Sequence, residues 1–343
     1  MTVTISRRRR GRRGTTLVVL GLALLATALF VTAVALDGDG GTDTLTLARE
    51  VGHNLLHLRW PFALVVLALT VAHYLATAVA ARAATGVDLD YPELVRVQLA
   101  AAAANRITPG GIGGSALTAR YLTRRGLPVA GAAGTVTMLA VLGAFADLVV
   151  LVVIVAVGGW LRLGGGSGEF TRVADHVSAV LGPVRSPWLW SVVGALIGLV
   201  VVVALTRRRH RLRPAIAGFW TPTRAIATCP TRLATLLGAS GTTTLVMGFA
   251  FVAATRLLPG PTPHGGLGAV LVAYMLGAAA GSSVPVPAGL GSTEAALVAV
   301  LVGLHVPAAH AVQVVFVYRI ITFWLPAAIG VVVTRGLRRA GAL

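Results

Sequence analysis

The sequence has 343 residues, of which 56 % are hydrophobic and 12 % are charged, with a mean hydropathy of +0.84 and a net charge of +18. This composition excludes an ordinary soluble domain, and because most of the arginines stand at the ends of apolar segments, where they contact lipid headgroups, we expect no nucleic-acid partner. All 29 basic residues are arginines, which excludes P-loop and Schiff-base lysine sites, and the single cysteine, Cys229, excludes an intrachain disulfide and a cysteine-based metal site.

Apolar segments predict one transmembrane domain over residues 15–335, which follows an arginine-rich tail, residues 1–14. A helix needs about 20 apolar residues to cross a bilayer. Six segments meet this criterion, near 15–36, 61–84, 129–157, 187–206, 233–256 and 308–334. The first half of the domain is about 61–206, the second half is about 233–335, and the connector is 207–232. The first segment also resembles a signal peptide, so cleavage after residue 35 stays open.

Two further apolar segments, 93–124 and 266–304, are each interrupted by a repeated phrase. The phrase is Pro109-Gly110-Gly111-Ile112-Gly113 in the first segment and Pro287-Ala288-Gly289-Leu290-Gly291 in the second. Proline and glycine break helices, and paired breaks in corresponding halves indicate a transporter binding site. The predicted fold is therefore an all-α polytopic membrane protein with about eight, and up to ten, membrane helices. It contains an inverted repeat of two re-entrant units.

Arginine clusters predict the orientation, because basic residues favour the cytoplasmic side. Four clusters, at 7–13, 120–125, 207–232 and 335–339, can all be cytoplasmic if each broken unit enters and leaves on one side. Both termini are then cytoplasmic. The three full spans between the broken units make the first unit open to the cytoplasm and the second open to the outside. The charges do not decide whether the arms cross fully or turn back halfway.

Ionisable side chains at membrane depth are costly, and they are usually paired or functional. Five are predicted there, namely Arg106, Arg120, Asp147, Glu294 and Arg319. Ion pairs of Glu294 with Arg319, or of Arg106 with Asp147, would simply stabilise the bundle. For Asp147 we favour such a structural ion pair. For Arg106 and Glu294, which flank the two breaks, a structural role and a ligand-binding role are equally open.

Backbone groups at the breaks are also candidate ligands for an anion. A helix that starts after a glycine-rich break presents unsatisfied N–H groups and the positive end of its dipole. The glycines concerned are Gly110, Gly111, Gly113, Gly289 and Gly291. Together with the three membrane arginines they would suit a phosphate or carboxylate, with Glu294 gating or coupling. No metal or cofactor is expected, since no carboxylates pair in the apolar core and the two histidines at 53 and 57 lack an intervening glutamate.

The sequence resembles the transmembrane region of the lysylphosphatidylglycerol synthases, a flippase-like family of integral membrane proteins. The resemblance rests on the segment 105–114 (NRITPGGIGG) with Arg120, and on 287–291 (PAGLG) with Glu294, Tyr318-Arg319 and Pro326. It covers roughly residues 55–335. In bifunctional members this region is thought to carry aminoacylated phosphatidylglycerol between leaflets. Many relatives have an acidic residue where this chain has Gly114 and Ser115, so the resemblance does not fix the cargo.

We therefore expect a protein that is not an enzyme and that moves a phospholipid or lipid-linked intermediate between leaflets of the bacterial cytoplasmic membrane. We expect a stand-alone member without the aminoacyltransferase domain of the bifunctional proteins. A separate synthase or glycosyltransferase is a possible partner. Two alternatives are a non-transporting scaffold for such an enzyme and a membrane-embedded enzyme acting on lipid phosphates.

Overall fold

Helices make up the regular structure throughout the described part of the chain, which confirms the predicted all-α fold. A computed structural model describes residues 57–85, 87–106, 108, 112–160, 224, 228–282 and 291–343. The chain divides into two compact units, Met1–Leu56 and His57–Leu343, and all of the described residues belong to the second. Eight helices have described bounds: α1 (Trp60–Thr85), α2 (Tyr91–Asn105), α3 (Ile112–Arg124), α4 (Val129–Trp160), α5 (Pro230–Ala254), α6 (Gly266–Ser282), α7 (Ser292–Gly303) and α8 (Ala308–Arg339).

Four of these helices, α1, α4, α5 and α8, are long and apolar enough to cross a membrane. They confirm four predicted spans. The last of them, α8, continues past the predicted end to Arg339, and the basic residues of its last turn suit the negative end of the helix dipole. The spans predicted near 15–36 and 187–206 lie outside the described residues. So do most of the connector 207–232 and both glycine-rich breaks, apart from Ile112, Gly113 and Gly291.

The two broken segments form pairs of short helices, α2 with α3 and α6 with α7. We call them the first and the second hairpin. Their helices have 15, 13, 17 and 12 residues, and at about 1.5 Å per residue each is shorter than the roughly 30 Å hydrocarbon core. Local chemistry fixes their ends: α2 starts where the Asp90 carboxylate accepts the Glu93 N–H at 3.1 Å. In the second hairpin the Ser292 hydroxyl donates to the Gly281 carbonyl at 2.8 Å.

The hairpins open at opposite ends of the bundle. The open end of the first hairpin packs with the last turns of α1, in a buried cluster that includes Ala78, Leu94 and Tyr121. The open end of the second hairpin packs with the first turns of α1, in a cluster that includes Ala63 and Leu301. This is the arrangement that an inverted repeat predicts.

A π-helical turn interrupts α8 at Ile320–Trp324. Within it, the Leu325 N–H donates to the Ile320 carbonyl, five residues back. Pro326 follows directly and has no N–H to continue the ordinary α-helical pattern. Beyond the proline, α8 packs against α2 so closely that Gly330 lies on the backbone of Leu99. The π-helical turn and this close contact together place α8 beside the tip of the first hairpin.

Candidate functional site

The tips of the two hairpins meet around the ring of Phe323, in the π-helical turn of α8. The guanidinium carbon of Arg106, after α2, lies 3.3 Å from the ring centroid. The guanidinium carbon of Arg319 lies 3.8 Å from the same centroid. One ring face has room for one planar group at such distances, so the two guanidinium groups take opposite faces. We call Arg106, Glu294, Arg319 and Phe323 the tip cluster.

Glu294 links the second hairpin to α8. The Arg319 Nε donates to its Oε1 at 2.6 Å, which confirms this predicted ion pair. The other oxygen, Oε2, accepts the Gly291 N–H at 2.8 Å and so caps the start of α7. The two side chains are mostly buried, with exposed fractions of 12 % for Arg319 and 17 % for Glu294. Glu294 therefore fixes both the start of α7 and the orientation of Arg319.

The tip cluster carries one net positive charge and two unused donors. Two arginines face one carboxylate, and within the described residues Arg106 joins no ion pair. The Arg106 Nε and the Arg319 Nη2 are buried and have no hydrogen-bond partner among those residues. A buried donor without a partner carries a penalty of about 1–3 kcal/mol, more when it is charged. An anion that accepts a hydrogen bond from each of these two donors, outside the space that the Phe323 ring fills, would remove that penalty.

Side chains of the same hairpins already accept hydrogen bonds from three of the described backbone N–H groups at the breaks. Thr108 Oγ1 accepts the Gly113 N–H at 2.8 Å, and Asn105 Oδ1 accepts the Gly114 N–H at 2.5 Å. The Gly291 N–H is engaged by Glu294. This corrects the expectation that Gly113 and Gly291 offer free N–H groups to a ligand, because capping has satisfied them.

The remaining predicted backbone donors, Gly110, Gly111 and Gly289, lie outside the described residues.

Two predicted site residues do not join the tip cluster. Arg120 is exposed on α3, more than two turns beyond the tip of the first hairpin. Asp147 lies on α4, where its carboxylate accepts a hydrogen bond from the Thr244 hydroxyl. No described ion pair includes Asp147. The expected structural ion pair is thus corrected to a hydrogen bond with a neutral partner from α5.

Sequence reasoning missed Phe323, although this residue organises the site. Phe323 is 3 % exposed and sits one helical turn after Arg319. A phenylalanine in an apolar span is usually a packing or lipid-facing residue, so its type carries no signal. The available signals were the spacing from Arg319 and the proline at 326, which favours a local departure from α-helical geometry.

The fold and the tip cluster define a class: a multi-pass α-helical membrane protein in which two broken hairpins open at opposite ends and their tips meet at a charged centre. The model of the family described as "Lysylphosphatidylglycerol synthase TM region" matches residues 18–330, and the chain belongs to this family. A comparison with curated proteins gives no match.

Proposed function

We propose that the protein translocates an anionic phospholipid, or a lipid-linked intermediate with an anionic headgroup, between the leaflets of the bacterial cytoplasmic membrane. The observation that carries this proposal is the tip cluster, which lies between two oppositely opening hairpins. Two arginines meet there, and each has a buried N–H group without a hydrogen-bond partner in the described part of the chain. Membership of the family supports a membrane role of this kind.

The chemistry of the tip cluster suits a phosphate better than a neutral group. Guanidinium groups form charge-assisted hydrogen bonds with phosphate oxygens, and these are roughly twice as strong as neutral ones. Glu294 leaves one positive charge uncompensated, so a single phosphodiester would make the tip cluster neutral. The lipid tails stay in the bilayer, beside the apolar faces of the long helices.

The opposite openings of the hairpins supply a route for alternating access. Movement of the first hairpin would connect the tip cluster with one side, and movement of the second would connect it with the other. From the arginine distribution we expect both termini and the open end of the first hairpin to be cytoplasmic. The protein performs no bond chemistry in this proposal; a separate synthase or glycosyltransferase would supply or consume the lipid.

Leaflet exchange in proteoliposomes tests the proposal. We expect the protein to accelerate exchange of fluorescent phosphatidylglycerol. Arg106→Gln should slow that exchange about tenfold or more, because a tenfold change corresponds to the free energy of about one charge-assisted hydrogen bond. Arg106→Lys keeps the charge and should retain part of the rate. The matched control is Arg82→Gln, because Arg82 is 47 % exposed and pairs with Asp88 away from the tip cluster.

Two outcomes would contradict the proposal. Equal exchange by native protein and Arg106→Gln would remove the tip cluster from the transport route. No protein-dependent exchange of any anionic lipid would favour a non-transporting scaffold, in which case Arg106, which joins no ion pair within the described residues, should tolerate substitution.

A further inference from the structure

The charges of the tip cluster bear on which lipid headgroups it accepts. Arg106 interacts electrostatically with both Glu294 and Arg319, so the three charges act on a ligand together. Two guanidinium groups and one carboxylate leave one net positive charge. The two buried groups without a partner among the described residues, the Arg106 Nε and the Arg319 Nη2, are both hydrogen-bond donors. The tip cluster therefore offers a ligand positive charge and donors.

A carboxylate is the usual partner of an ammonium group, but the carboxylate of Glu294 is already engaged. Its Oε1 accepts a hydrogen bond from Arg319 at 2.6 Å, and its Oε2 accepts one from Gly291 at 2.8 Å. Each oxygen could accept one further hydrogen bond. However, Arg319 already balances the negative charge, and Arg106 adds a second positive charge beside it. An ammonium group near Glu294 would therefore be repelled more than it is attracted.

Other acidic residues do not supply a carboxylate at the hairpin tips. The undescribed residues of the two breaks, 107, 109–111 and 283–290, include neither Asp nor Glu. Three described acidic residues lie just before α2 or in its first turn, at the open end of the first hairpin: Asp88, Asp90 and Glu93. Asp147 is exposed on α4 and accepts a hydrogen bond from Thr244. Among the described residues, Glu294 is thus the only carboxylate of the tip cluster.

The aromatic ring of the tip cluster is occupied as well. An aromatic face is the second common binding site for an ammonium group, because the ring attracts cations electrostatically. Guanidinium groups cover both faces of Phe323, that of Arg106 at 3.3 Å and that of Arg319 at 3.8 Å from the centroid. An ammonium group brought to the tip cluster would therefore find neither a free carboxylate nor a free face of this ring.

We propose that the tip cluster selects lipids whose headgroup has a phosphate and no ammonium group. Phosphatidylglycerol brings one negative charge and makes the tip cluster neutral. Phosphatidylethanolamine has the same phosphodiester, but only two carbon atoms separate it from the nitrogen, so the ammonium group stays close to the guanidinium groups that bind the phosphate. Repulsion between unit charges at such distances in a protein is enough to weaken binding about tenfold or more. This selectivity rests on the proposed translocation function and names its substrate class.

Leaflet exchange of matched lipids tests the selectivity. The probes are phosphatidylglycerol, phosphatidylethanolamine and lysylphosphatidylglycerol with the same fluorescent acyl chain, because a label on the amine would remove the charge under test. We expect the native protein to exchange phosphatidylglycerol about tenfold or more faster than phosphatidylethanolamine. Lysylphosphatidylglycerol, whose headgroup is net positive, should also exchange more slowly than phosphatidylglycerol. A fluorescent polyprenyl phosphoryl sugar, with one phosphodiester charge, should likewise outpace phosphatidylethanolamine, and its rate relative to phosphatidylglycerol identifies the lipid that supplies the phosphate.

A ratio of two exchange rates separates charge selection from a general loss of activity. In Arg106→Gln the tip cluster has no net charge. The ratio of phosphatidylglycerol exchange to phosphatidylethanolamine exchange should therefore fall towards one, even though the variant is slower. Arg82→Gln, which alters the exposed ion pair with Asp88, should keep the native ratio.

The comparison of lipids on the native protein needs no variant, so it decides the question even if Arg106→Gln fails to fold. Equal exchange of phosphatidylglycerol and phosphatidylethanolamine, or exchange of lysylphosphatidylglycerol as fast as phosphatidylglycerol, would overturn the selectivity while translocation stands. A native ratio in Arg106→Gln would also overturn it. Absence of protein-dependent exchange of every anionic lipid would instead overturn the proposed function itself.

Discussion

Arg319→Gln is expected to lower the free energy of unfolding by about 3–5 kcal/mol, the usual cost of leaving one member of a buried ion pair alone. Glu294 is 17 % exposed and would lose the partner of its Oε1. The double variant Glu294→Gln with Arg319→Gln removes both charges and should recover most of that stability. Denaturant titration in mixed micelles measures all three free energies.

The exposed ion pair of Arg82 with Asp88 provides the matched control. Their exposed fractions are 47 % and 90 %, so Arg82→Gln should change the unfolding free energy by less than about 1 kcal/mol. A double variant that is as unstable as Arg319→Gln alone would show that the loss does not come from an unpaired Glu294, and the account of the tip cluster as a buried charge centre would fail.

Gly330→Ala is expected to destabilise the protein by about 1–3 kcal/mol, the range for overpacking a tight interface. A Cβ at this position would come within 2.8 Å of the Leu99 carbonyl carbon and 3.0 Å of the Ala103 Cβ, both on α2. Since neither helix backbone can yield locally, α8 must move away from the first hairpin. Because that movement would also draw Phe323 away from Arg106, exchange of phosphatidylglycerol should slow as well.

Gly336→Ala, on the same helix, is the matched control. Among the described residues, no heavy atom outside the neighbouring helix backbone lies within 4 Å of a Cβ built at Gly336. Alanine there should therefore be neutral or stabilise the helix by up to about 1 kcal/mol. Equal melting temperatures for the two alanine variants would show that α8 and α2 are not in close contact in solution.

The sequence predicted the helices well because apolar length and helix breakers are local signals. The span predicted at 61–84 is α1, and the broken segment 266–304 is the pair α6 and α7. The ion pair of Glu294 with Arg319 was also predictable, since membrane-depth charges need partners and few were present. The orientation stays a prediction from the arginine distribution, and the re-entrant character of the two broken segments also stays a prediction.

The rest of the site depends on which helices touch, and spacing along one helix does not carry that information. Nothing in the sequence shows that Phe323 lies between Arg106 and Arg319, because Arg106 reaches it across a helix contact. Asp147 was expected to meet an arginine, yet the contact between α4 and α5 brings the Thr244 hydroxyl instead. Of the N–H groups expected to be free at the breaks, the two that the structure describes are capped: that of Gly113 by Thr108 and that of Gly291 by Glu294.

Side-specific labelling tests most directly whether the two hairpins open to opposite sides of the membrane. The background is Cys229→Ser, which removes the only native cysteine. Arg124→Cys then places a thiol at the open end of the first hairpin, and Thr262→Cys places one just before the second hairpin. Both positions are exposed. A membrane-impermeant maleimide should label Thr262→Cys in intact cells and Arg124→Cys only in inverted vesicles. Labelling of both thiols from the same side would contradict the inverted arrangement and, with it, a transport route between the two hairpins.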